Sequence, residues 1–120
     1  MNAPFNAEIR SLQKGIVLDL SGEIDGSAAD GLLGAYGQAV AAHDPATVVL
    51  DFTNVDYINS SGIALIVSVL ARSRADKRKV MACGLSDHYR EIFEITRLSD
   101  FIDIRSDLAS VETQLSDGIG

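Results

Sequence analysis

Apolar and polar positions change rhythm several times along the chain, and each change marks a predicted element. Ala7 to Gln13 predicts a short first strand. After Gly15, the alternation of Ile16, Leu18 and Leu20 with Val17 and Asp19 predicts a second. The stretch "SGEIDGSAAD" breaks that alternation. From about Ser27 to His43 the pattern is helical, with Leu33, Tyr36 and Val40 on one face. Gly31, Gly34 and Gly37 each weaken this helix by about 1 kcal/mol against Ala, and they suit a helix lying close to a neighbouring surface. Asp44-Pro45 stops it.

The middle of the chain is the most apolar. "TVVLDF", Thr47 to Phe52, reads as a strand covered on both faces. "TNVDYIN" follows as a loop, and a central helix runs from about Ser60 to Ala75. Ile63, Ile66, Val67 and Leu70 form its expected core stripe, with Leu65 and Val69 elsewhere around it. Its surface carries no charge until Arg72, so a second layer or a partner protein is expected to cover the outer side. Lys79 to Cys83 is another buried strand. Ser86 is a good N-cap for a third helix carrying Tyr89, Ile92, Phe93 and Thr96. Phe101 to Ile104 predicts a last short strand and Ser106 to Leu115 a final helix.

Buried strands separated by helices point to right-handed βαβ crossovers, and the tight turn between the first two strands adds an antiparallel edge. The expected fold is an α/β sandwich: a small mixed sheet of about four to five strands with about four helices mostly on one side. At 120 residues and 47% hydrophobic, the chain suits one domain over 1–120, with its core over about 8–116. Cys83 is the only cysteine, which excludes an internal disulfide, and its apolar neighbours predict a buried structural thiol.

Charge narrows the function classes. A net charge of −7 argues against nucleic acid as a partner. The one basic cluster, Arg72, Arg74, Lys77, Arg78 and Lys79, reads as a solvated helix end that complements the helix dipole. The N-terminus lacks a signal pattern and no apolar run is long enough to span a bilayer, so a soluble cytoplasmic protein with no direct membrane contact is expected.

Asn59, Ser60, Ser61 and Gly62 open the central helix, and several chemistries compete for them. A serine nucleophile needs a histidine base, and neither His43 nor His88 falls beside the serines in a plausible layout. Asn59-Ser60-Ser61-Gly62 lacks the first glycine of a nucleophile elbow. It also lacks the glycines and lysine of a phosphate loop. No enzyme activity, metal or other cofactor is expected. A cap and a modification site remain. One capping side chain stabilises a helix by about 1 kcal/mol, yet three consecutive residues qualify. A serine at an exposed helix start tolerates a phosphate, whose charge would repel an acidic or apolar partner.

From about Ile16 to Leu115 the chain resembles a STAS domain, specifically the anti-sigma factor antagonists of bacterial partner-switching systems. The resemblance rests on "LSGEIDGSAAD", on "VVLDFTNVDYINSSGIALIV", on "KVMACGLSDHYREIFEITRLSDFIDI" and on the acidic closing helix. It implies a STAS-type sandwich and a non-enzymatic regulator. It further implies that an anti-sigma factor with serine kinase activity phosphorylates Ser60, with Ser61 the lesser candidate, and that a Ser/Thr phosphatase resets the modified form. The unphosphorylated protein would bind the kinase, and phosphorylation would release it, controlling transcription indirectly. The Gly22-Glu23-Ile24-Asp25 turn matches the family's turn near the phosphosite. The implied partner surface is Asp25, Asp56, Tyr57, Asn59, Ser60, Ser61, Gly62 and Leu65. Asn59 stands where these antagonists carry an acid. The alternative is a STAS interaction subunit of a transporter or signalling assembly that is not phosphorylated. A small hydrolase using Ser60 is a distant third.

Overall fold

A computed structural model describes residues 4–12 and 15–117. The strands are β1 (Asn6–Leu12), β2 (Gly15–Ile24), β3 (Thr47–Ile58), β4 (Lys79–Cys83) and β5 (Asp103–Ile104). They lie in the order β1-β2-β3-β4-β5, with β1 antiparallel to β2 and every other pair parallel. Helices α1 (Ala29–His43), α2 (Ser60–Ala75) and α3 (Asp87–Ile95) occupy the crossovers, and α4 (Leu108–Asp117) closes the described chain. Gln13, expected at the end of the first strand, lies outside the described residues.

Strand alternation divides the core between two faces. Ile16, Leu18, Leu20, Val48, Leu50, Val80 and Ala82 point one way and are buried under α1, α2 and α3. Val17, Val49, Met81 and Cys83 point the other way, against Val111, Leu108 and Leu115 of α4. Both faces are therefore covered, which is why "TVVLDF" is apolar almost without interruption. Asp51 is buried at the polar end of the α4 face. It accepts from the Thr53 N–H at 3.0 Å and lies 3.7 Å from Arg10 Nη2, whose Nε is 3.4 Å from Asp19. Burial first, and then the Asp51 charge, push the neighbouring Cys83 thiol up to about 12.

Several expectations are corrected here. "SGEI" and "TNVDYI" are strand, not turn and loop: β2 and β3 stay paired as far as Glu23↔Tyr57 and Ile24↔Ile58. Two register shifts absorb the irregularity, one between Gly22 and Glu23, where Gly22 takes a φ of 82° that a side chain would disfavour. Helix α1 starts two residues late, after a 3-10 turn over Gly26–Ala28, and it buries Leu32, Ala35, Tyr36 and Ala39. Leu33 and Val40 are only half-buried. Of the three glycines expected to allow a close approach, Gly31 does so, with a Cβ there 3.1 Å from the Phe5 ring, while Gly34 and Gly37 have no atom within 4 Å of where a Cβ would stand. Helix α4 begins two residues later than expected, with Asp107 accepting from the Ser110 N–H at 2.8 Å.

Helix α2 has its expected limits but a different rotation. It buries Gly62, Leu65, Ile66, Val69, Leu70 and Ser73, spaced i, i+3, i+4, i+7, i+8 and i+11. Leu65 is 7% exposed and Val67 44%, the reverse of the expected stripe. The physical cause is the contact of Gly62 with the end of β2, described below.

Candidate functional site

Parallel pairing carries the C-terminal ends of β2 and β3 to the same edge of the sheet, so the segments that follow them meet there. One is the Asp25 turn and the other the start of α2. Asn59 is the N-cap of α2, with extended backbone and a side-chain oxygen that accepts from the Gly62 N–H at 2.9 Å. Its own N–H donates to the Ile24 carbonyl at 3.2 Å, which stitches the helix start to β2. A Cβ on Gly62 would fall 2.1 Å from the Ile24 oxygen and 3.0 Å from Ile58 Cγ2. Only a residue without a side chain fits, and this contact sets which face of α2 turns inward.

On the neighbouring segment, Asp25 caps the 3-10 turn. Its carboxylate accepts from the Ser27 N–H at 2.8 Å and from the Ser27 hydroxyl. These bonds, the hydroxyl's first, hold the Asp25 carboxyl below the usual aspartate range. The turn lies against α2: a Cβ on Gly26 would be 3.7 Å from that of Ser61.

Ser60 and Ser61 are both exposed, and neither hydroxyl makes a hydrogen bond among the described residues. The first turn of α2 contains no acidic side chain of its own, so the N–H groups that Asn59 does not cap remain available at the positive end of the dipole. Asp56 and Tyr57, on the extended end of β3, are exposed, Tyr57 by 45%. Further along α2, Ala64, Val67 and Ser68 face outward. Ser68 donates its hydroxyl back to the Ala64 carbonyl at 3.2 Å, which leaves this outer strip small and nearly apolar.

Asp25, Asp56, Tyr57, Asn59, Ser60 and Ser61 thus reach the surface around one sheet edge. Gly62 and Leu65 do not: both are buried, and their part in the site is to seat the helix. Val67 takes the outward position expected of Leu65. Tyr89 is not among the residues expected at the site. Its hydroxyl accepts from the Ile58 N–H at 2.9 Å and so braces the last residue of β3 before the cap. The sequence separation of 31 hides that bond, and a tyrosine on a helix face gave no signal of it. Among the described residues, no hydrogen bond joins His43 or His88 to either serine, and no cluster of three or more His, Cys, Asp or Glu side chains could hold a metal ion. No helix there is long and apolar enough to cross a membrane.

Comparison with known proteins adds a family match. The model of the STAS domain matches residues 6–111. An anti-sigma-B factor antagonist of Listeria monocytogenes is 37% identical over 57 residues, 48% of this chain and 50% of the relative. The chain spans about half the length of the curated relatives it matches. Among solved structures, an anti-sigma factor antagonist from Mycobacterium paratuberculosis superposes with a TM-score of 0.81 at 22% identity, covering 98% of this chain and 100% of that one. Unphosphorylated SpoIIAA, also an anti-sigma factor antagonist, gives a TM-score of 0.71 at 18% identity over 97% of this chain and 100% of that one. The phosphorylated form of the same Bacillus protein gives 0.67 at 18% identity, covering 92% and 98%. At these identities the structural likeness speaks for the fold.

Proposed function

The chain belongs to the STAS domain family, and from that premise we propose that it is an anti-sigma factor antagonist switched by phosphorylation of Ser60. Its partner is an anti-sigma factor with serine kinase activity, and a Ser/Thr phosphatase resets it in the cytoplasm. The observation that carries this reading is the setting of Ser60. It is an exposed, unengaged hydroxyl on the first residue of a helix whose N-terminal turn has no anionic side chain. A phosphate there accepts from free N–H groups and meets the positive end of the dipole, so the host fold keeps its stability.

The same phosphate changes the surface around it. The Asp25 turn abuts Ser61, and Asp56 is exposed on the strand leading to the cap. Nearly two added negative charges beside those carboxylates turn a weakly charged rim into a strongly anionic one. A partner that packs its own apolar or acidic surface on Ala64, Val67 and Ser68 is repelled. Binding and release then need no refolding of the chain, only a change of charge at one edge.

The test is incubation with a cognate anti-sigma kinase and ATP, followed by mass spectrometry. One phosphate on Ser60, lost in Ser60→Ala, is expected, and Ser60→Asp should weaken kinase binding by about tenfold or more. An active kinase that leaves Ser60 unmodified would remove the switch. A second reading rests on Asn59. It caps α2 without the charge that an acid would bring, which suits an interaction subunit of a transporter or signalling assembly that is never phosphorylated. Affinity capture with the wild-type and Ser60→Asp proteins separates the two: an unphosphorylated subunit retains the same partners with both.

A further inference from the structure

Along the C-terminal half of α2, from about 10 Å (Val67) to about 21 Å (Arg74) beyond Ser60 at 1.5 Å per residue, a groove of about 730 Å³ opens between α2 and the segment after α3. Its walls are Val67, Leu70 and Ala71 on one side and Leu98 and Phe101 on the other, and its floor reaches Val80 of β4. Phe101 is 57% exposed at the rim. The volume falls within the range of about 300–1,000 Å³ typical of small-molecule sites. Apolar side chains on both walls and on the floor suit an apolar chain laid along the groove.

The charges around the groove are unequal in their commitments. Arg78 is held by Asp44 at 2.9 Å, by Asp76 at 3.8 Å and by the Pro45 carbonyl at 2.6 Å. Lys79 lies 3.6 Å from Asp103, and Asp100 accepts from Arg97 at 2.9 Å. Arg74 has no carboxylate partner among the described residues. Its guanidinium stacks 5.2 Å from the centre of the Phe101 ring, at the mouth of the groove. One uncommitted cation over an apolar cleft matches one anionic head on an apolar tail.

We propose that this groove binds a monomeric long-chain carboxylate, with its tail laid along Ala71 and Phe101 over the Leu98 edge and its head on Arg74. The groove shares Val67 with the outward strip of α2, but Ser60 does not line it, so Ser60→Asp leaves ligand binding unchanged. The probe is dodecanoate below its micellar concentration, titrated by calorimetry and followed by amide chemical shifts of the full chain. Saturable one-to-one binding is expected, with shifts concentrated at Val80, Leu98 and Phe101. Dodecyltrimethylammonium, with the same tail and a cationic head, should bind about tenfold more weakly or worse. Arg74→Glu, on an exposed side chain, should reverse that preference. Ala71→Trp, with an unchanged circular dichroism spectrum, should abolish both. Equal affinity for the two head groups, or binding indifferent to Ala71→Trp, overturns the proposal in favour of adventitious detergent adsorption. So does an absence of saturable binding, and so does self-association in sedimentation equilibrium that Ala71→Trp relieves, which would give the groove to a second copy.

Discussion

A methyl group placed on Gly62 would stand 2.1 Å from the Ile24 carbonyl oxygen, so the first turn of α2 rests directly on the end of β2. Elsewhere in a helix, Gly→Ala gains about 1 kcal/mol of propensity. Here the obstructing atoms are backbone and cannot rotate away, so the clash decides the sign. Gly62→Ala should lose about 1–3 kcal/mol in urea unfolding, the usual cost of overpacking. Ser61→Ala, one residue away and exposed, should stay within about 0.5 kcal/mol of wild type.

That same contact predicts opposite behaviour for two apolar residues of α2. Leu65→Ala removes a buried side chain and should cost about 2–5 kcal/mol, seen as a lower urea midpoint. Val67→Ser removes one that is 44% exposed and should barely move the midpoint. Its effect belongs instead on partner affinity, since Val67 lies on the outward strip. Equal losses of stability would mean that α2 is rotated toward the stripe expected from its periodicity.

These residues mark the limit of what the sequence makes legible. The ends of α2 and β4, the Ser86 cap, the parallel core and the exposed serines at the helix start follow from local patterns. The rotation of α2 does not, because Ile63, Ile66, Val67 and Leu70 satisfy helical periodicity as well as the true stripe does. A backbone contact made 38 positions away, Gly62 on Ile24, breaks the tie. "TNVDYI" looks like a loop because Thr53, Asn54 and Asp56 interrupt the apolar run, and it becomes strand only because β2 runs beside it to Ile24.

Tyr89 gives a third test, of the brace beneath the cap. Ile58 is buried and its N–H donates to the Tyr89 hydroxyl. Tyr89→Phe leaves that donor without its partner, at a cost of about 1–3 kcal/mol. Hydrogen exchange should quicken at Ile58 and Asn59 well before it does in the β3 core at Val49. Unchanged protection at Ile58 would show that the brace is dispensable.

The Asp25 turn supplies a pH test whose sign is fixed by its hydrogen bonds. The bonds from the Ser27 hydroxyl and N–H favour the carboxylate, so the folded protein holds Asp25 ionised to lower pH than the unfolded chain does. The contribution is therefore fully present above the ordinary aspartate range, and it fades as pH falls through the depressed folded value. The Ser27 amide resonance should follow this titration by NMR, moving as the carboxylate protonates and the 3-10 turn loosens. Ser27→Ala removes the hydroxyl, the larger cause, and should raise the midpoint toward the ordinary value while leaving part of the depression from the backbone bond. Since the turn abuts Ser61, its opening also disturbs the rim beside Ser60, and partner affinity should decline over the same acidic interval. An Asp25 midpoint that Ser27→Ala leaves in place would show that the turn, and with it this edge of the proposed switch, is held by other contacts.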